Sequence, residues 1–195
     1  MVTFAAALRG SGRPDAGDRV RQILDAGFPA EALLAPFHHR EWETIRGLLP
    51  RESIVAVELF VPHPRGVRPG TPLPLRLGSP RTDDKDLAAG LGADTIRFAD
   101  ANSVRSVIVP PVALEGELRA AHRKLRRKAA FRQSLPALRA SRSVEAKAPL
   151  DAYRSVLSRL LDVAARHAVR LAIVPGGWLD ELPGTESLTQ TDFRD

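Results

Sequence analysis

The sequence has no cysteine among its 195 residues. Disulfide bonds, thiolate metal ligands and a nucleophilic thiol are therefore excluded, and we expect a cytoplasmic protein. No apolar run approaches the roughly 20 residues that a membrane-spanning helix needs, so we expect no membrane contact. The first residues, MVTFAAALRG, lack the basic region of a signal peptide and are a candidate first strand instead.

Several nucleotide and hydrolase motifs are also missing. The sequence has no Walker motif, no GxGxxG and no GxSxG, so nucleotide hydrolysis, dinucleotide binding and hydrolase chemistry have no support. A net charge of +6 permits contact with nucleic acid or anionic substrates, but charge alone does not decide between them. With 44% apolar residues the chain can bury one sizeable core, and we expect a single domain over residues 1–195.

What the sequence does contain is an alternation of short apolar runs with amphipathic stretches. This pattern is typical of βα units around a parallel sheet. The predicted strands are VTFAAAL, EALLAPF, SIVAVELFV, VRSVIVPPV and VRLAIVPGG. An α/β fold is therefore expected, and the sheet is either an open doubly wound sheet or part of a (β/α)8 barrel.

Helical spacing and breakers predict the segments between the strands. The first helix starts near Asp15 or Asp18 and ends at Gly27. Pro50 ends the second helix, in which apolar residues recur at helical spacing at Trp42, Ile45, Leu48 and Leu49. A third helix over residues 83–102 carries Gly90 and Gly92 as expected interruptions. Further predicted helices cover residues 114–138, the stretch from Tyr153 to Ala164 and part of residues 182–193. The apolar face predicted for the second of these contains Tyr153, Val156, Leu157, Leu160, Leu161 and Ala164. Residues 64–82 are rich in proline and glycine and are predicted to form a long loop at the end of the sheet.

The order and spacing of these pieces resemble a known family. Four segments in this order resemble the first five units of the xylose-isomerase-like TIM barrels. They are ILDAGFPAEALLAPF, a strand that leads into VPHP, ADTIRFADANSVRSVIVPPVAL and LDAYRSVLSRLLDVAARHAVRLAIVPGGWLDELPG. This superfamily includes sugar-phosphate isomerases and epimerases and a class of AP endonucleases. The resemblance covers nearly the whole chain and implies a partial or reduced (β/α)8 barrel with isomerase-like or epimerase-like chemistry.

The resemblance implies an acid at the end of the second strand, five residues after Gly27. Ala32 occupies that position, and the nearest acid is Glu31. Because strand side chains alternate between faces, the offset of one residue turns Glu31 away from the barrel mouth unless the strand is bulged. Glu31 is therefore a second, weaker candidate for a catalytic residue.

His63 is the main candidate. Relatives often carry a histidine before proline at the end of the third strand, and His63-Pro64 stands in that place. Counted by two, His63 shares a face with Val55, Val57, Leu59 and Val61, which we expect to point into the barrel. The alternative is a histidine at a strand-loop junction without a catalytic role. Arg65 and Trp178 are the candidate substrate-binding residues.

The metal ligands that the resemblance implies are missing from this sequence. Pro110 stands where relatives have a histidine, and Val174 and Pro175 stand where they have a glutamate and an asparagine. None of these side chains can bind a divalent ion such as Mn, Mg, Co or Zn. We therefore expect no metal site and weak or lost isomerase activity, with a small sugar or polyol as the remaining ligand.

The number of predicted strands is also below that of the family. A closed barrel has eight strands and about 250 residues, and strands six to eight have no counterpart here. We expect either a truncated chain or a reduced relative that completes its sheet by association, because an open sheet leaves two unpaired edges. Self-association is the predicted partner interaction in that case.

Three other patterns in the sequence allow more than one interpretation. Residues 118–142 contain nine lysines and arginines and no acid, which suits phosphate binding or a solvated outer helix face. His38 and His39, with acidic residues nearby, are either metal ligands or part of an ordinary helix start, where acidic side chains interact favourably with the helix dipole. Gly176-Gly177 suits a phosphate or a tight turn. The main alternative to a sugar enzyme is therefore a non-catalytic module that binds nucleic acid or an acidic partner through residues 118–142.

Overall fold

The computed structural model describes residues 6–8, 16–27, 31–33, 39–49, 54–67, 73–110, 137, 140, 144 and 146–173. Its strands are β1 Ala6–Leu8, β2 Glu31–Leu33, β3 Ile54–Glu58, β4 Ser106–Val109 and β5 Arg170–Ile173. Its helices are α1 Ala16–Asp25, α2 His39–Leu48, α3 Leu73–Leu77, α4 Thr82–Ala101 and α5 Lys147–Arg166. In this part of the chain no helix is long and apolar enough to cross a membrane.

The strands form one sheet in the order β1-β2-β3-β4-β5. The pairs β1 with β2, β2 with β3 and β3 with β4 are all parallel. Parallel neighbours that follow each other in sequence need a crossover between them, and helices supply it here. The predicted α/β fold with parallel strands is confirmed.

The chain divides into two compact units. The first contains residues 1–71, 90–109 and 160–172, and the second contains residues 72–89, 110–159 and 173–195. The expectation of a single domain stays a prediction.

The core of the first unit lies between the sheet and its helices. Trp42 of α2 and Phe98 of α4 meet edge to face with ring centroids 4.7 Å apart, an arrangement that aromatic pairs prefer. The buried apolar residues of this unit are Val20, Trp42, Ile45, Leu49, Ile54, Ala56, Val57, Leu59, Phe60, Val61, Ala93, Ile96, Ala99, Val104, Val107, Val109, Leu160, Ala164 and Val169. Spacings of three and four residues on the helices explain why each presents one apolar face.

The second unit has a smaller described core. Its buried apolar residues are Leu73, Leu77, Ala88, Ala89, Ala146, Ala152, Tyr153, Val156 and Leu157. The face predicted for the last helix is therefore largely confirmed. Leu161 of the predicted face is instead 55% exposed.

The predicted helix ends agree with the structure. Gly27 has a φ of 80°, and its amide donates to the Leu24 carbonyl over 2.9 Å. Glycine adopts this left-handed conformation without steric cost, so it ends α1 as expected. Helix α2 ends at Leu48, two residues before Pro50.

Three of the secondary-structure predictions were wrong. The helix over residues 83–102 is continuous through Gly90 and Gly92, because burial of its apolar side outweighs the low helix propensity of two glycines. The third strand ends at Glu58 instead of continuing to residue 61. Residues 64–82 are not all loop, because the short helix α3 lies within them.

Candidate functional site

Strand β3 leads directly into His63. After Glu58 the chain turns, with the Leu59 amide donating to the Ile108 carbonyl over 2.8 Å and the Val61 amide donating to the Glu58 carbonyl over 3.1 Å. We call residues 59–67 the His63 segment. It follows the carboxyl end of a strand in a parallel sheet, where α/β proteins place their ligands.

The turn contains a strained residue. Phe60 has a φ of 72°, a left-handed conformation that is unfavourable for a residue with a side chain. Its amide donates to Thr95 Oγ1 of α4 over 2.9 Å, and its ring is buried. The hydrogen bond and the buried ring hold Phe60 in this conformation. The turn also ends the alternation of faces, so the face that His63 was predicted to share does not follow from counting along a strand. Of that face, Val57, Leu59 and Val61 are buried, but Val55 is 37% exposed.

The imidazole of His63 is half-buried. Its Nδ1 lies 3.1 Å from the Pro64 carbonyl oxygen. A carbonyl only accepts hydrogen bonds, so this contact places a proton on Nδ1 and makes Nε2 the acceptor nitrogen of the neutral ring. Nε2 is shielded from solvent. In the neutral ring this contact favours the tautomer in which Nε2 can accept a proton or a hydroxyl hydrogen bond.

Arg65 is exposed and adjoins a second turn. Gly66 has a φ of 81°, and the Val67 amide lies 3.4 Å from the Pro64 carbonyl oxygen to which it donates. Glycine at this position allows the turn without strain. Arg65 therefore belongs to the same segment as His63, and its role in substrate binding stays a prediction.

Glu31 lies at the amino end of β2, opposite Ile54. The register shifts between Glu31 and Ala32, so β2 has an irregularity at this position. His63, by contrast, follows the carboxyl end of β3. The two candidate catalytic residues thus belong to different ends of neighbouring strands, and the role of Glu31 stays a prediction.

The residues considered as ligands fall partly within the structure. Ala32 is the middle residue of β2, and buried Pro110 follows β4. Among the residues that the structure describes, no group of three or more histidine, cysteine, aspartate or glutamate side chains could hold a metal ion. Several other candidates lie outside the described residues: His38, Val174, Pro175, Gly176, Gly177 and Trp178. The same holds for residues 118–142, except for Ala137 and Ala140.

A cluster of polar groups in the second unit was not anticipated from the sequence. Asp84 in the first turn of α4 accepts a hydrogen bond from Ser79 Oγ over 2.8 Å and pairs with Arg76. The Ser79 hydroxyl and the charges of Arg76 and Arg81 hold the pKa of Asp84 below its ordinary value, against the opposing effect of burial. The acidic helix start was visible in the sequence, but the partners were not.

A second unanticipated group is the phenol of Tyr153. Its hydroxyl donates to the Pro110 carbonyl oxygen over 3.3 Å, and the side chain is fully buried. Burial raises the pKa of the Tyr153 phenol because the charged phenolate is poorly solvated there. The neutral hydroxyl is the form that donates this hydrogen bond.

The structure is similar to solved structures of other proteins. A D-tagatose 3-epimerase-like protein has a similar structure, with a TM-score of 0.53 and 13% sequence identity over 90% of this chain and 54% of that chain. A mannonate dehydratase from Streptococcus suis serotype2 gives a TM-score of 0.45 and 13% identity, over 94% of this chain and 57% of that chain. The chain thus spans about half the length of these solved structures.

No protein-family model matches the sequence, and no curated protein matches it. The structural likeness at such low identity concerns the fold alone. With its parallel strands and intervening helices, the chain has the α/β fold expected for a partial or reduced (β/α)8 barrel.

Proposed function

We propose that the chain is a sugar isomerase-like or epimerase-like barrel protein that binds a small sugar or polyol at the His63 segment. The observation that carries this proposal is the position of His63, half-buried just beyond the carboxyl end of β3. Substrates of barrel enzymes bind at this edge. The likeness of the fold to a D-tagatose 3-epimerase-like protein favours a sugar over other small ligands.

The proposed chemistry uses the imidazole as an acceptor. With the Nδ1 proton directed at the Pro64 carbonyl, Nε2 is the acceptor nitrogen of the neutral ring, and because it is shielded from solvent, a sugar hydroxyl donates to it only once the ligand has displaced the groups that cover it. In an active isomerase the same nitrogen would take a proton from the carbon next to a sugar carbonyl, and Arg65 would bind an oxygen of the ligand. We assign no step to a metal ion, and we propose that metal-dependent isomerase activity is weak or lost.

Calorimetric titration with D-tagatose tests binding. We expect a saturable heat for the wild-type protein and an affinity about tenfold lower for His63→Gln, since loss of one hydrogen bond of about 1.4 kcal/mol gives this factor. His167→Gln is the matched control, because His167 precedes β5 and therefore lies toward the amino end of that strand. Binding that is equally strong in His63→Gln would contradict the proposal.

A titration with Mn²⁺ or Co²⁺ tests the second part of the proposal. We expect no stoichiometric binding at micromolar metal. Tight binding of one ion per chain would mean that the ligands have been assigned incorrectly and that the metal-dependent reaction is retained.

A second candidate function is a binding module for nucleic acid. Residues 118–142 contain nine basic residues and no acidic residue, which is a suitable charge pattern for phosphates. A gel shift with a short duplex at two salt concentrations tests this candidate. Binding should weaken strongly at the higher salt concentration, and affinity that ignores salt would argue against it.

We also propose that the chain associates with a second copy of itself. Within the described part of the sheet, β1 and β5 stand at the two ends of the strand order. Parallel-sheet proteins normally pair or cover such edges. Light scattering should give the mass of a dimer or larger assembly, and a stable monomer at high concentration would count against association.

A further inference from the structure

We propose that Thr95 is a positioning residue for His63, an inference that rests on the proposed function of the His63 segment. Thr95 lies in α4 and is 3% exposed. Its hydroxyl, like that of Tyr153, lies among buried apolar side chains in the described part of the chain. A buried hydroxyl usually has a specific partner, because burial without one is costly.

Both hydrogen-bonding roles of the Thr95 hydroxyl are used. Its oxygen accepts from the Phe60 amide over 2.9 Å, and its hydrogen is donated to the Leu91 carbonyl one turn earlier over 3.3 Å. The second contact fixes the orientation of the hydroxyl on the helix. The first contact then holds the backbone of Phe60 at a fixed place against α4.

Phe60 is the residue at which the chain leaves the direction of β3. Because its φ of 72° is left-handed, relaxation to an ordinary conformation would redirect the chain after it. His63 lies only three residues further on. The position of its imidazole therefore depends on the conformation that Thr95 holds.

Gly92 allows the helix to come close enough for this contact. A Cβ atom at Gly92 would lie 3.4 Å from Leu59 Cδ1 and 2.8 Å from Leu160 Cδ2. Gly92 and Thr95 are three residues apart, so they lie on the same side of α4. Gly92 thus faces Leu59, and Thr95 bonds to the next residue, Phe60.

The test compares Thr95→Val with the wild-type protein by NMR of the full chain with labelled histidine. Valine keeps the shape of threonine but cannot accept the Phe60 amide. We expect the His63 imidazole resonances and their pH titration to shift, and exchange of the Phe60 amide to accelerate at least about tenfold. Thr95→Ser, which restores a hydroxyl, should return both toward the wild-type values.

Two controls separate positioning from general stability. Thr44→Val removes an exposed hydroxyl of α2 that donates to the Arg40 carbonyl, and it should leave His63 unchanged. His167, which contacts Asp100 over 2.7 Å, is an internal reference because a global loss of structure would shift its resonances too. If Thr95→Val fails to fold, Thr95→Cys supplies a weaker acceptor of similar volume and should give an intermediate shift of His63.

A changed melting temperature with unchanged His63 resonances and titration would overturn the inference, because Thr95 would then be structural only. The NMR readout needs no ligand. Absence of D-tagatose binding by the wild-type protein would therefore defeat the proposed function, whereas an unshifted His63 would defeat the positioning role. If both proposals hold, Thr95→Val also weakens D-tagatose binding and Thr95→Ser restores it.

Discussion

The Tyr153 hydroxyl donates a hydrogen bond to the Pro110 carbonyl oxygen across 3.3 Å, and so links α5 to the residue that follows β4. These residues are 43 positions apart in sequence. The contact suggests a test in which a single oxygen atom is removed from a buried ring.

Tyr153→Phe should lower the free energy of unfolding at neutral pH by about 0.5–1.5 kcal/mol, the usual net value of one such hydrogen bond. Urea denaturation measures the difference. An unchanged midpoint would mean that the hydroxyl contributes nothing to folding.

The same variant should respond differently to alkaline pH. The folded pKa of Tyr153 is raised above the ordinary 10.0, so the wild-type protein keeps its full stability below pH 10 and loses it as the pH rises further. Tyr153→Phe has no phenol to ionise, so the difference in free energy of unfolding between it and the wild-type protein should shrink or reverse above pH 10. Since the chain has one tyrosine, phenolate absorbance follows this residue alone. Ionisation well before unfolding would contradict the prediction.

Gly90 and Gly92 form a matched pair on α4. A Cβ atom at Gly90 meets nothing within 4 Å, whereas one at Gly92 would lie 2.8 Å from Leu160 Cδ2. Gly90→Ala should stabilise the protein by about 0.5–1 kcal/mol through helix propensity. Gly92→Ala should give no gain or a loss, because Leu160 must shift. Urea denaturation of both variants measures the two changes. Equal stabilisation by Gly90→Ala and Gly92→Ala would contradict the close approach of Leu160 to Gly92.

Asp84→Asn should destabilise the protein at neutral pH and have no effect in acid. The folded pKa of Asp84 is lowered from 3.8, so its contribution is present above that value and is lost as the pH falls through the folded pKa. Asp83→Asn removes a charge from the same exposed helix turn and is the control. Urea midpoints measured from pH 7 to pH 2 should converge for Asp84→Asn and wild type. A constant difference across this range would argue against a role for the carboxylate charge.

The ion pair between Asp86 and Arg159 should matter little, although its atoms are 2.6 Å apart. Both side chains are more than half exposed, at 59% and 51%. Solvent screens such pairs, and Arg159→Gln should cost at most about 1 kcal/mol, with less effect at high salt. A larger loss that persists in high salt would indicate a contribution other than charge.

The sequence by itself determined the alternation of strands and helices. The apolar runs predicted the five strands and their parallel sheet, Gly27 marked the end of α1, and the spacing of Trp42 and Ile45 marked the buried face of α2. These features depend on neighbours within a few residues, so periodicity and local propensity carry the information. The position of His63 after the third strand was also readable from order along the chain.

Only the tertiary structure decided the details of the candidate site. The left-handed Phe60 donates its amide to Thr95, which is 35 residues away in sequence. Helix α4 continues through Gly92 because Leu59 and Leu160 pack against that position. Such contacts join residues that no local pattern connects, and burial then outweighs propensity. For this reason the sequence could place the histidine near the sheet edge but could not reveal the hydroxyl that holds its turn.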